Sequence, residues 1–135
     1  MSVHSCGDGS TERSCPSART AETRPLTAED RERLETRAQI LKALAHPSRI
    51  FIMERLNLRP HCVNELTGLI GADTSTVSKH LSVLKNSGLV EIRKEGTSVY
   101  YSLTCPCVIT LLDCIEGVIE RNLEKQLAYF SKESP

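Results

Sequence analysis

The sequence predicts a mostly helical α+β fold of about five helices and one β-hairpin. Apolar residues recur at helical spacing in several segments, and proline or glycine separates most of these segments. Two runs of β-branched and aromatic residues lie before the last helical segment, which predicts the hairpin. The 135 residues suffice for one compact domain with a modest core, but not for two.

Composition and charge exclude several classes of protein. The chain has 17 basic and 17 acidic side chains, so its formal net charge is zero and a nucleic-acid partner must be argued from local arrangement. No segment approaches the roughly 20 apolar residues that a membrane-spanning helix needs, and the first residues lack the pattern of an export signal. We therefore expect a cytoplasmic protein with no membrane partner.

The N-terminal segment differs in composition from the rest of the chain. Residues 1–25 are rich in Ser, Thr, Gly and Arg and hold a single bulky aliphatic side chain. Such a segment cannot bury enough apolar surface to fold alone, so we expect a flexible arm that carries Cys6 and Cys15. The folded domain is predicted over residues 26–130, and a C-terminal tail over residues 131–135.

The first two helices are marked by their ends and by apolar spacing. Thr27 can cap the first helix, with acidic residues in its first turn. His46-Pro47 ends that helix and begins the second, which is predicted from about Pro47 to Leu58. The apolar positions along these helices are Leu34, Ala38, Leu41 and Leu44 in the first, with Ile50, Met53 and Leu56 as inward candidates in the second.

Two further helices are joined by a tight connection. The third is predicted near Cys62 to Ile70 and the fourth over Ser75 to Lys85, with Val77, Leu81 and Leu84 inward. Two short helices with a brief turn are typical of a helix-turn-helix. Hydroxyl and basic side chains suit contacts with phosphates and base edges, although an ordinary solvated helix face is the alternative. The side chains predicted to bind DNA here are Thr74, Ser75, Thr76, Ser78, Lys79, His80 and Lys85.

Residues 89–103 predict a β-hairpin. Its strands are expected over residues 89–93 and 98–103, with a basic, Gly-containing tip between them. A hairpin directly after a helix-turn-helix is a wing, and Arg93 and Lys94 would lie against the DNA backbone. A purely structural hairpin is the alternative. The order of elements thus predicts a winged helix-turn-helix that binds double-stranded DNA.

The longest helix is predicted last, from about Pro106 to Phe130. It carries an apolar stripe formed by Val108, Leu111, Leu112, Ile115, Val118, Ile119 and Leu123. Such a stripe must be covered, and together with the first helix it would form the interface of a homodimer. A two-fold dimer suits palindromic half-sites in DNA. Packing within one chain is the alternative.

Six cysteines in a chain without an export signal favour metal binding or redox sensing, because cytosolic thiols stay reduced. Cys105, Cys107 and Cys114 form the densest group, and soft ions prefer thiolate ligands. One helix cannot bring these three together, because Cys107 and Cys114 would lie about 10 Å apart along its axis. Cys105 and Cys107 are also expected to be too close in sequence for an easy disulfide. Filling an apolar helix flank is the alternative role of Cys114.

Five segments together carry a family resemblance: Leu41 to Arg49, Val63 to Leu66, Ser75 to Leu81, Leu84 to Val90 and Glu95 to Leu103. Over roughly residues 34–120 the chain resembles the ArsR/SmtB family of metal-responsive repressors. The resemblance implies a dimeric winged helix that represses an efflux or detoxification operon until an inducer binds. It also implies that residues 75–80 face the operator.

The resemblance also bears on the cysteines. Arsenic and cadmium sensors of the family commonly carry Cys-Val-Cys on the third helix, whereas Cys62-Val63-Asn64 keeps only the first cysteine. The usual third-helix site would then need Cys6 and Cys15 of the arm. Zinc sensors of the family place Asp and His at the start of the last helix, where this chain has Cys105-Pro106-Cys107. A conventional zinc site is therefore not expected.

We predict a repressor that leaves its operator when As(III) or Sb(III) binds the thiolates of Cys105, Cys107 and Cys114, the last from either subunit. Three sulfurs around each ion are the family-level expectation. A secondary site would combine Cys6, Cys15 and Cys62 at the cost of ordering the arm. His4 and His61 could add nitrogen ligands to that site, although His61 is expected to be an ordinary surface residue.

Other inducers and other functions stay open at this point. The repressor could respond to Cd, Pb or Zn instead. It could also respond to redox signals, if its cysteines form persulfides or disulfides, for example between Cys62 and a C-terminal cysteine. An interaction module that does not bind DNA is a further alternative. The sequence lacks a Cys-x-x-Cys motif, a phosphate-binding glycine loop and a nucleophile with a recognisable base, so we do not expect an enzyme.

Overall fold

The structure is a computed structural model and describes residues 24–133. The elements in chain order are α1 (Ala28–Leu44), α2 (Pro47–Leu58), β1 (His61–Cys62), α3 (Val63–Ile70), α4 (Thr74–Asn86), β2 (Val90–Glu95), β3 (Ser98–Leu103) and α5 (Cys107–Lys132). The predicted fold class of five helices and one hairpin is confirmed. The arm cysteines Cys6 and Cys15, and His4, lie outside the described residues. The limits of the arm, domain and tail remain predictions, although α5 continues two residues beyond the predicted end at Phe130.

The ends of the first two helices are fixed by side chains that the sequence identifies. Thr27 and Asp30 form a capping box at the start of α1, in which the Thr27 hydroxyl accepts from the Asp30 amide at 3.2 Å. Pro47 is the first residue of α2, and Nδ1 of His46 accepts from the Ser48 amide at 3.1 Å. His46 therefore caps α2, and Pro47 next to it fixes where α2 begins.

One apolar core joins all five helices and the hairpin. Its buried members are Ala43, Leu44, Ile52, Met53, Leu56, Leu66, Val77, Leu81, Leu84, Leu89, Val90 and Leu112. The three inward positions predicted for α4 are all fully buried. In α2 the buried face is formed by Ile52, Met53 and Leu56, and Ile50 is only half-buried because its position lies outside that face.

The sheet has a third strand that the sequence analysis did not predict. The strand order is β1-β3-β2, and β1 pairs antiparallel with β3 through His61 with Tyr101 and Cys62 with Tyr100. A two-residue strand gives no period-2 pattern to detect. The pairing places His61 on the face that holds Tyr101, where it is 4% exposed and its Nδ1 lies 2.8 Å from the Arg59 carbonyl oxygen. The expectation that His61 is a surface residue is therefore wrong.

The first and last helices leave apolar side chains uncovered within one chain. Leu34 and Leu41 of α1 are 47% and 52% exposed. In α5, Val108, Ile109 and Leu112 pack against the core. The exposed apolar residues farther along α5 are Ile115, Val118, Ile119, Leu123, Leu127, Tyr129 and Phe130. Across residues 24–133, no helix combines the length and apolarity needed to span a membrane.

The core predicts the effect of shortening a buried side chain of α4. Leu81 is fully buried, so Leu81→Ala should lower the free energy of unfolding by about 2–5 kcal/mol through lost burial and the cavity it leaves. Val83 lies two residues along the same helix and is 38% exposed, so Val83→Ala is the matched control and should cost about 0.5 kcal/mol. Urea unfolding followed by circular dichroism measures both. Equal losses for the two variants would contradict this core.

Candidate functional site

The start of α4 is held by a dense set of hydrogen bonds to Asp73. Its carboxylate caps the helix by accepting from the Thr76 amide at 3.2 Å, from the Thr76 hydroxyl at 2.6 Å and from the Ser75 hydroxyl. These bonds, that of the Ser75 hydroxyl first, lower the pKa of Asp73 to about 2. A hydroxyl has one hydrogen to donate, so Ser75 and Thr76 cannot donate to a phosphate while they bind Asp73. Both can still accept from a base amino group.

The predicted DNA-binding residues of α4 differ in exposure. Thr74, Ser75, Lys79 and Lys85 are exposed, while Thr76, Ser78 and His80 are half-buried. By helical spacing, Ser75 and Lys79 lie opposite the three buried apolar residues, while Thr74 and Lys85 lie on the flank. This face can offer hydrogen-bond donors and positive charge to an external partner.

His80 does not lie on the exposed face. Its Nδ1 is 3.4 Å from the Arg49 guanidinium and its ring is 4.4 Å from the His46 ring, both at the start of α2. Burial, followed by the nearby His46 and Arg49, lowers the pKa of His80. The expected outward position of His80 is therefore wrong, whereas its participation in DNA binding is still a prediction.

The wing, formed by β2 and β3, carries the two predicted backbone contacts. Arg93 and Lys94 are both exposed and lie in β2, where they pair with Tyr100 and Val99 of β3. Successive residues of a strand point to opposite faces, so these two cations lie on different sides of the wing. The turn itself is Gly96-Thr97, with Gly96 at φ 61°. Lys94 is thus part of a strand rather than of the tip.

Cys105 and Cys107 are joined by a disulfide at the start of α5. The expectation that two such close cysteines would not bond easily is wrong, because the chain turns at Pro106 before the helix begins and places their Cα atoms 5.4 Å apart. Both residues are exposed. In this bonded state neither sulfur is a thiolate, so metal binding by this pair applies to the reduced chain.

The other two described cysteines are free. Cys114 is exposed on α5, and Cys62 is half-buried in β1. Residues 24–133 contain no group of three or more His, Cys, Asp or Glu side chains that could hold a metal ion. One subunit therefore does not bring Cys105, Cys107 and Cys114 together, as their spacing predicts.

Comparison with known proteins identifies the family of this chain. The family model described as "Bacterial regulatory protein, arsR family" matches residues 46–91. The uncharacterized HTH-type transcriptional regulator Rv0081 of Mycobacterium tuberculosis is 37% identical over 93 residues, which cover 68% of this chain and 82% of that protein. The chain belongs to the ArsR family. The resemblance noted in the sequence is confirmed, as is the expectation that the protein is not an enzyme.

Solved structures agree with the ArsR-family assignment. The homodimeric winged helix-turn-helix DNA-binding domain of Mb0332 from Mycobacterium bovis gives a TM-score of 0.64 at 31% identity, covering 73% of this chain and 92% of that one. The transcriptional repressor BigR from Xylella fastidiosa gives 0.58 at 34% identity, covering 68% and 95%. The match to the ArsR-family model ends at residue 91, before α5, so it does not bear on Cys105, Cys107 or Cys114.

The capping of α4 by Asp73 is open to test. Asp73→Ala should speed hydrogen exchange of the first amides of α4, while Asp73→Asn should protect them nearly as well because Asn is an equally good cap. Since the pKa of Asp73 is lowered to about 2, the stabilisation by its carboxylate is complete above its ordinary value near 3.8 and is lost as the pH falls through about 2. Amide exchange by NMR near neutral pH compares the first amides of α4 in the two variants with those in the wild type. Unchanged exchange in Asp73→Ala would show that the cap has no role.

Proposed function

We propose that this ArsR-family regulator is a homodimeric repressor that binds operator DNA and releases it when a thiol-seeking species reacts at Cys105 and Cys107. One observation carries the proposal. Two exposed cysteines, Cys105 just before α5 and Cys107 at its first residue, have adjacent sulfurs, and α5 is the helix with the long uncovered apolar stripe. A chemical event at this pair therefore acts directly on the helix proposed to join the two subunits.

The uncovered faces of α1 and α5 support a dimer. Exposed apolar stripes of this length are costly in water and are covered in most proteins by a partner. A second copy of the chain would offer the same stripes in a two-fold arrangement. The homodimeric state named for the Mb0332 domain, which has the same fold, favours the same assembly here.

The exposed polar face of α4 and the wing support DNA binding. In a two-fold dimer, α4 would be presented twice, as palindromic half-sites require. Lys79 and Lys85 on α4, with Arg93 and Lys94 on the wing, would supply the phosphate contacts. The DNA-binding domain named for Mb0332 and the repressor activity named for BigR are consistent with this role.

As(III) or Sb(III) is the inducer that fits the cysteines best. Both ions are thiophilic, and reduced Cys105 and Cys107 would supply two adjacent thiolates. A third sulfur must come from elsewhere, because Cys114 does not join the pair within one subunit. Cys114 of the other subunit, or Cys6 and Cys15 of the arm, could complete the site. Cd, Pb and Zn compete for the same sulfurs.

Thiol oxidation is a second candidate signal, favoured by the Cys105–Cys107 disulfide itself. In that reaction the two thiols lose two electrons and two protons, and a hydroperoxide is reduced to an alcohol and water. The S–S bond closes a small ring around Pro106. Either reaction would constrain the start of α5 next to Val108 and Ile109, which pack on the core. A coupling of about 1–3 kcal/mol would weaken operator binding about 5- to 150-fold.

Cysteine variants should separate the inducers. Fluorescence anisotropy of the reduced protein on an operator fragment would follow titration with arsenite, antimonite, Cd, Pb, Zn, a peroxide and a persulfide donor. Arsenite and antimonite should release the wild type but not Cys107→Ser, while Cys62→Ser, which alters a free thiol outside α5, should respond normally. Cys114→Ser should lose the response if that residue is the third sulfur. A variant that lacks the thiols of Cys105, Cys107 and Cys114 and is still released from DNA by arsenite would overturn the proposed site.

The dimer interface should be sensitive to a buried charge. Ile115 lies in the uncovered stripe and is 46% exposed in the single chain, so Ile115→Glu should give a monomer and weaken operator binding. Glu116→Gln, at the next position along α5, is the matched control and should remain dimeric. Analytical ultracentrifugation measures the assembly. A wild-type chain that sediments as a monomer at operator-binding concentrations would contradict the dimer.

A further inference from the structure

Arg49 joins three helices at one point. It lies in the first turn of α2, and its Nε donates to the Ala43 carbonyl at 2.6 Å while its Nη2 donates to the Lys42 carbonyl at 3.3 Å, both near the end of α1. Its Nη1 is 3.4 Å from Nδ1 of His80 on α4. A guanidinium can only donate hydrogen bonds, so Nδ1 of His80 must accept and the proton of the neutral ring lies on Nε2.

His46 completes the group and has the same protonation state. Its Nδ1 accepts from the Ser48 amide, which also requires a neutral ring with the proton on Nε2. The His46 and His80 rings lie against each other, with 4.4 Å between centroids and a tilt of 39°. The bond between Arg49 and His80 thus joins α2 to α4, the bond between Ser48 and His46 lies beside it at the start of α2, and each needs a neutral imidazole next to the permanent charge of Arg49.

We propose that Arg49 and His80, with His46 stacked beside them, form a latch that holds α4 in the position from which it binds DNA. In this view His80 is a positioning residue and not a DNA contact. The latch also connects α4 to the end of α1, one of the two helices with uncovered apolar faces. The inference rests on the proposed function, because it assumes that α4 binds the operator.

The groups that face His80 decide the direction of its pH response. From α2 these are His46 and Arg49, which can carry only positive charge, and from α1 the backbone carbonyls of Lys42 and Ala43 accept from Arg49. On its own helix the neighbouring Lys79 is exposed. Among residues 24–133, no carboxylate forms an ion pair with His80. Burial, His46 and Arg49 together lower its pKa below the ordinary value of 6.5.

The latch and a direct DNA contact predict opposite pH dependences. Protonation of Nδ1 removes the acceptor for Arg49 and places a new cation against Arg49 and His46. The latch is therefore intact above pH 6.5, the ordinary value, and is lost as the pH falls through the lowered pKa. Operator binding should then weaken in acid. If His80 instead touched a phosphate, its protonation would strengthen binding in acid.

The test measures operator affinity of the full-length protein at pH 7.5 and pH 5.5, at constant ionic strength, for the wild type and two variants. The wild type should bind more weakly at the lower pH, by up to about tenfold, the limit that one proton sets one pH unit below 6.5. His80→Asn keeps an oxygen that can accept from Arg49 but does not titrate, so it should bind like the wild type at pH 7.5 and lose most of the pH dependence. Lys79→Gln should weaken binding at both pH values and keep the dependence.

Measurements without DNA separate failure of the latch from failure of the proposed function. NMR titration of the wild-type His80 ring needs no variant, and a midpoint at or above the ordinary value would overturn the latch. Tighter wild-type binding at pH 5.5 that disappears in His80→Asn would also overturn it, since His80 would then be a DNA contact. If no form binds DNA at either pH, the proposed function fails, and the ring titration still decides whether the latch exists.

Discussion

The position of α4 depends on the burial of one of its faces, and the rest of the structure follows from that packing. Val77, Leu81 and Leu84 are fully buried in the same core as Ile52, Met53 and Leu66. Because these contacts fix the rotation of α4 about its axis, Ser75 and Lys79 face outward while Thr76 and Ser78 are half-buried. The chain has no net positive charge. Its surface can still bind DNA, because the core holds α4 so that a few hydrogen-bond donors lie in a fixed arrangement.

Two sets of polar contacts also help to fix the position of α4. Asp73 fixes the first turn of α4 through the Ser75 and Thr76 hydroxyls, and Arg49 ties the middle of the helix to α1 and α2. Both groups use side chains that a simple inspection would assign to DNA. The polar residues of α4 therefore divide into those that orient the helix and those, such as Lys79, that remain free to bind a partner.

Much of the fold could be predicted from the sequence, because periodicity and helix ends are local signals. Thr27, Pro47 and Gly71 mark helix ends by their own chemistry, and the α4 apolar spacing identifies its buried face. What could not be predicted depends on contacts between distant segments. Strand β1 exists only because β3 pairs with it, and His61 is buried only through that pairing. His80 lies three residues after Val77, beside the buried face of α4, and its contacts with Arg49, 31 residues away, and with His46 could not be predicted from helical spacing.

The cysteines show the same division between local and distant information. Their number and type point to thiol chemistry, yet the Cys105–Cys107 bond depends on the turn at Pro106, and a third sulfur for the proposed ion would have to come from a second subunit or from the arm. We propose that linking these two sulfurs controls DNA binding. The most direct measurement compares the operator affinity of the reduced dimer with that of the same protein whose Cys105 and Cys107 are bridged by a monosubstituted arsenical, which binds two thiolates. The bridged form should bind the operator at least about fivefold more weakly, whereas equal affinities would show that the two sulfurs do not control DNA binding.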